Sequence, residues 1–195
     1  MKKKYITAAV ASVIMIALLI GASVMLKNFH DSYVYSTFPL KYSEEVEKAS
    51  EKYQVNKYLV YAVIKTESNF DPQARSHAGA IGLMQLMPKT FEWLQTYYVS
   101  EDKLNNTIED LESPGINIDY GTNLLSVLLD MYEDEDTAIC AYNAGVGNVD
   151  SWLKNSEYSD DGKTLKTVPF PETENYRHQV AQNKSCYVRL YGSDK

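Results

Sequence analysis

With 195 residues the chain has room for one folded domain and a short appendage. Its formal charge is −7, yet Lys2, Lys3, Lys4 and Lys27 are the only Lys or Arg before Asp31, so beyond them 15 basic side chains face 26 acidic ones. That balance excludes a nucleic-acid partner, whose binding rests on phosphate neutralisation, and leaves hydrogen bonding and stacking to hold a ligand. His30, His77 and His178 share no metal-ligand spacing with Cys140 and Cys186, which excludes a zinc site.

Met1-Lys2-Lys3-Lys4 is followed by the 22-residue charge-free run Tyr5 to Leu26, which as a helix covers roughly 33 Å. A cleavable signal has a shorter apolar core of about 7 to 15 residues and a small-x-small exit, whereas this run ends in Val24-Met25-Leu26 with no cysteine after it to take a lipid. The expectation is an uncleaved, single-pass anchor over residues 1–27, with the lysines in the cytoplasm and the rest of the chain on the outer face of the cell membrane. Residues 28–42, with Phe29, Tyr33, Tyr35, Phe38, Tyr42 and Pro39, show neither a helical nor a strand period and read as a stalk, reaching at most about 50 Å.

Residues 43–195 read as an all-α domain. Ser43 is the expected N-cap of a helix with Val46, Ala49 and Tyr53 on one face. A second helix starts after Asn56, carries Leu59, Val60, Val63 and Ile64, and ends near Ser68, before Pro72. The turn Gly79-Ala80-Ile81-Gly82 leads to a helix opened by Pro88 and running through Phe91, Leu94 and Tyr98. Pro114 to Tyr132 repeats apolar residues at three- and four-residue steps, Thr137 to Asn143 is shorter, and Gly145 and Gly147 separate it from Val149 to Leu153. Asn155 to Pro171 is a polar loop, and a final helix lines Tyr176, Val180, Tyr187, Leu190 and Tyr191 on one face. No stretch has a period-two strand pattern. An external compartment would permit a bridge between Cys140 and Cys186; two separate buried thiols is the preferred reading.

Glu67 lies four residues after Val63, seven after Val60 and eight after Leu59, so helical spacing turns its carboxyl toward the apolar face. Desolvation and the negative end of the helix dipole both favour the neutral form and should raise its pKa from about 4.3 toward roughly 6. A carboxyl still protonated near neutral pH can donate to a glycosidic oxygen. Asp71 is the nearest second carboxylate, but Pro72 after it favours a turn-shaping role.

Three segments add a resemblance. Glu67-Ser68-Asn69-Phe70-Asp71-Pro72 with Ser76 through Pro88, then Ala141-Tyr142-Asn143-Ala144-Gly145, then Pro169-Phe170-Pro171-Glu172-Thr173-Glu174-Asn175-Tyr176 resemble, in order, the three motifs of the soluble lytic transglycosylase family. The resemblance covers about residues 40–191. It implies a lysozyme-like helical domain of the goose-lysozyme type in which Glu67 alone, without a cofactor, cleaves the bond between N-acetylmuramic acid and N-acetylglucosamine in peptidoglycan strands. The substrate's own N-acetyl group and C6 hydroxyl would replace a second carboxylate and water, leaving 1,6-anhydromuramic ends. Ser76, Gln85, Met87, Tyr142, Asn143 and Tyr176 would line the sugar cleft, with Glu172 capping the last helix or bonding to the cleft wall. Arg177 departs from the family pattern, which has an aliphatic residue there. A hydrolytic muramidase on the same fold and a non-catalytic peptidoglycan-binding scaffold are the alternatives. Protein partners are unknown from sequence.

Overall fold

The computed structural model describes residues 2–97 and 106–192, excepting the side chains of residues 2–14 and of His30. The chain divides into two compact units, residues 1–39 and 40–195.

The first unit is one helix, α1, Lys2–Thr37. Among the described residues no helix is long and apolar enough to cross a membrane; the first ten residues of the run Tyr5 to Leu26 lie outside those whose side chains are described. The helix continues through residues 28–37, where the sequence shows no helical period and an extended stalk is expected. No proline interrupts it before Pro39, and an α-helix covers only about 15 Å over those ten residues. Near its end the Ser36 and Thr37 hydroxyls both donate to the Tyr33 carbonyl at 2.8 Å, and Pro39 disfavours helical backbone at the residue before it.

The second unit comprises α2 (Ser43–Tyr53), α3 (Lys57–Ser68), α4 (Pro88–Tyr97), a 3-10 turn (Glu109–Glu112), α5 (Pro114–Met131), α6 (Glu135–Ala144), α7 (Val146–Leu153) and α8 (Pro171–Tyr191). There is no strand among the described residues, only isolated bridges that pair Ile81 with Arg75 and with Leu86. Tyr98, expected in α4, lies outside the described residues. Ser43 is the first residue of α2 rather than its cap; Tyr42, at φ 58°, precedes it, and the cap has no side-chain hydrogen bond. At α3 the Asn56 side chain accepts from the Tyr58 N–H at 2.9 Å, and at α6 Asp134 accepts from the Thr137 N–H at 2.8 Å, each satisfying a first-turn donor.

Helix α5 is the hub. It packs against α2, α4 and α6, and Asn117, Ile118, Tyr120, Gly121, Leu125 and Leu128 are all buried along it. Gly121 is there because a Cβ would lie 2.4 Å from the Met84 sulfur, so the loop before α4 rests directly on the α5 backbone. Helix α3 buries every residue from Leu59 to Ile64 and packs on α8, where Tyr61 stacks on Tyr187 with ring centroids 5.2 Å apart. Each fully buried aliphatic side chain of this kind contributes about 1.5–3 kcal/mol. Helix α6 touches α5, α7 and α8 and so joins the two halves of the core. Cys140 on α6 and Cys186 on α8 are both free thiols, and burial pushes the Cys140 thiol up to about 12.

Candidate active site

Glu67 sits in the last turn of α3, one residue before the helix ends. The stop is abrupt. Asn69 and Phe70 are both left-handed, at φ 50° and 67°; the Asn69 N–H closes on the Lys65 carbonyl, and Phe70 is buried. Ser68 then ties this end to the next loop, its hydroxyl 2.8 Å from the Leu83 carbonyl. The helix thus delivers Glu67 to the edge of the core rather than into open solvent. Burial raises the Glu67 pKa from 4.5 to about 7, against a smaller opposing effect from Tyr176, whose hydroxyl donates to Oε1 at 2.7 Å. That value lies above the roughly 6 anticipated from sequence.

Tyr176 comes from the first turns of α8, started by Pro171, and its phenol is pushed well above 10, chiefly by burial and then by the nearby Glu67 charge. The Tyr142 phenol, from α6, is raised in the same way, and its hydroxyl donates to the Met84 carbonyl at 2.8 Å. Asn143 follows it, with Oδ1 accepting from the Thr173 hydroxyl at 2.8 Å, which clasps α6 to the start of α8. Arg177 adds a second clasp. It is 12% exposed, donates to Glu174 at 2.7 Å and faces Asp136 of α6 at 3.9 Å, an ion-pair tie between α8 and α6.

Glu67, Asn143, Glu172, Asn175, Tyr176 and Gln179 share one open cavity of about 470 Å³. Glu172 therefore lines the cleft; its carboxylate makes no hydrogen bond to a described residue, so of the two expected roles neither the helix cap nor a bond to the cleft wall is formed there. Ser76, Gln85 and Met87 are placed differently. The Ser76 hydroxyl accepts from the Ala80 N–H at 3.0 Å, and the Gln85 amide donates to the Ala74 and Gly82 carbonyls at 3.0 and 2.9 Å. Both brace the loop, and no donor from a described residue reaches the Gln85 Oε1. Met87 is 38% exposed. Asp71 accepts from the Gln73 N–H at 3.0 Å, as a turn-shaping residue does.

Sequence reasoning missed Asn117. Fully buried on α5, it accepts from the Met84 N–H at 2.7 Å and donates to the Ile81 and Leu111 carbonyls at 2.9 and 2.8 Å. It pins the loop that carries Gln85 and Met87. Gly82 lets it approach: at φ 79° a Cβ would lie 2.2 Å from the Asn117 amide nitrogen. An amide next to Ile118 on the buried side of α5 was the available signal.

Comparison with known proteins fits this geometry. The family profile described as "Transglycosylase SLT domain" matches residues 44–165. The chain is 30% identical over 162 residues to the soluble lytic murein transglycosylase of Escherichia coli, covering 81% of this chain and 24% of that protein. It is 37% identical over 175 residues to the membrane-bound lytic murein transglycosylase C of Edwardsiella ictaluri, covering 77% and 47%. The crystal structure of the 70 kDa soluble lytic transglycosylase of E. coli superposes with a TM-score of 0.70 at 26% identity, over 82% of this chain and 26% of that one. The chain spans about a quarter of the length of the first curated relatives it matches. The match over residues 44–165, well over half of the chain, makes this chain a member of the SLT transglycosylase domain family.

Proposed function

We propose that the chain is a peptidoglycan lytic transglycosylase that cleaves the MurNAc-β-1,4-GlcNAc bond with Glu67 as its only catalytic carboxyl. The observation that carries this is a carboxyl on the wall of an open cavity, raised by burial to about 7, with its partner phenol donating to it at 2.7 Å. Glu67 gives its proton to the bridging oxygen as the C1–O bond breaks, and the substrate's N-acetyl group steadies the positive charge at C1. The resulting carboxylate then removes the proton from the C6 hydroxyl of the same muramic acid, whose oxygen closes on C1. The product is a 1,6-anhydro end, and Glu67 regains its proton. Tyr176 serves this cycle by donating to the carboxylate and fixing its rotamer. Asn143, Tyr142, Ser76, Gln85 and Met87 are proposed to line the sugar path.

One observation favours the hydrolytic alternative: Glu172 shares the cavity and its carboxylate pairs with no described residue, as a water-activating base would. Mass spectrometry of muropeptides released from purified walls by the full chain separates the readings. Anhydro ends that vanish with Glu67→Gln support the proposal; reducing ends refute it in favour of hydrolysis. The charge-free run Tyr5 to Leu26 supports a membrane tether with the domain outside, so residues 1–27 act as anchor, 28–42 as connection and 43–195 as catalytic domain. Recovery of the chain in the soluble fraction of lysed cells would refute the tether.

A further inference from the structure

Helices α6 and α8 run antiparallel, and polar contacts join them along their length. Thr173 bonds to Asn143 at 2.8 Å, Arg177 faces Asp136 at 3.9 Å, and Lys184 pairs with Glu135 at 2.6 Å. The middle tie differs from the others. Arg177 is 12% exposed, and its guanidinium also donates to Glu174, about one turn earlier on α8, at 2.7 Å. Yet the Arg177 Nε and the Glu174 Oε2 are both buried with no hydrogen-bond partner among the described residues. His178 shares the Glu174 Oε1, at 3.1 Å, and Cys140 of α6 feels the charges of Arg177, Asp136, Glu174 and Asp134. Desolvating charged groups while a donor and an acceptor stay unmet is a poor way to stabilise a helix pair. Two apolar side chains of similar size hold such a contact as well or better.

What the tie does supply is direction. We propose that Arg177 is a positioning residue for the Glu67 reaction: steadied by Glu174 and received by Asp136, it fixes the rotation of α8 about its axis and so holds the Tyr176 hydroxyl on the Glu67 carboxyl. The inference rests on the proposed catalysis by Glu67 and adds how the donor beside it is aimed. Neighbouring residues project roughly 100° apart around an α-helix. Tyr176 therefore reaches across to α3, where its hydroxyl meets Glu67 at 2.7 Å, while Arg177 reaches to α6. A rotation of α8 that loosened the second contact would swing the first away. The Thr173 bond alone does not prevent it, because a single hydrogen bond at the helix start acts as a pivot, and Lys184 lies about two turns beyond Arg177. Charged partners give the contact a defined geometry, since a planar guanidinium fork admits few carboxylate positions and an apolar contact admits many. Arg177 does not act as a bare charge on Glu67, whose shift comes from burial and from the Tyr176 bond.

The test compares the full chain, in detergent, with a paired variant carrying Arg177→Met and Glu174→Leu, on intact purified walls. The paired variant should unfold at a urea midpoint no lower than the parent's, since the two buried charges leave together. Its KM should stay within about twofold, while kcat falls on the order of tenfold and the alkaline limb of kcat/KM moves upward, as loss of the Tyr176 donor requires. Arg177→Lys, which keeps the charge but not the planar fork, should fall between parent and paired variant. In a Tyr176→Phe background the same pair should change neither kcat nor the limb further. A parent-like kcat and limb in the paired variant would overturn the positioning role, and so would a loss of that same size added to the loss from Tyr176→Phe. A urea midpoint well below the parent's would also overturn it, by making the tie an ordinary stabilising contact. In each of these cases Glu67 catalysis stands. Should Glu67→Gln cut walls as fast as the parent, the underlying reading fails instead.

Discussion

Replacing Glu67 by Gln should make the protein more stable at alkaline pH than the parent, although it removes the proposed catalyst. Burial raises this carboxyl from 4.5 to about 7, so the folded state holds its proton where the unfolded chain has released it. Below about pH 4.5 both states are protonated and the group costs nothing. As pH rises to about 7 the unfolded state is increasingly favoured, and above that the penalty is constant. At 1.36 kcal/mol per pKa unit the limit is about 3 kcal/mol, and partial solvent access should bring the measured value nearer 2. Glutamine is neutral throughout. Urea unfolding of the full chain in detergent, followed by Trp93 and Trp152 fluorescence, should therefore show matched stability at pH 4 and a variant more stable by about 2 kcal/mol at pH 8. A difference independent of pH, or a parent more stable at pH 8, would refute the buried neutral carboxyl.

Tyr176→Phe removes a donor that favours the ionised carboxyl, so the pH at which kcat/KM falls on the alkaline side should move above 7, with kcat down about tenfold to a hundredfold as Glu67 loses its fixed position. A downward move of that limb would show the bond's effect to be misread. Glu172→Gln should cost no more than about tenfold in kcat, since only Glu67 is assigned proton transfer; a loss matching that of Glu67→Gln would make two carboxylates essential. Asn117→Ala leaves the Met84 N–H and the Leu111 carbonyl unpaired in the core and the Ile81 carbonyl with only its Leu86 donor, and should lower stability by about 3 kcal/mol in the same urea assay. A change within 0.5 kcal/mol, about that of an ordinary surface substitution, would contradict its bracing role.

The helical period carries most of what could be read in advance. Leu59, Val60, Val63 and Ile64 are buried where their spacing places them, and the same spacing brings Glu67 to the core's edge. Local chemistry also marked the break at Gly145 and the starts at Pro88 and Pro114, whereas Pro171, read as part of the polar loop, opens α8. What escaped depends on partners distant in sequence. Residues 155–170 look like a plain polar loop, yet Leu165 and Val168 are buried, the Leu165 N–H donates to the Thr137 hydroxyl, and Asp161 folds the turn by accepting from Lys163 and Thr164. Gln85 and Ser76 carry motif chemistry in sequence, but their bonds to backbone groups appear only once the loop is closed. Glu172, expected to cap the last helix or bond to the cleft wall, lines the cavity without a hydrogen bond to a described residue, which depends on how α8 meets α3 and α6, a relation no local pattern encodes.

Proton transfer by Glu67 requires that its side chain hold a proton near neutral pH. Carbon-13 NMR of carboxyl-labelled glutamate in the full chain, with Glu67→Gln identifying the resonance, reports it. A midpoint near 7 is predicted. A midpoint between 4 and 5, the range of an ordinary glutamate, would contradict the account.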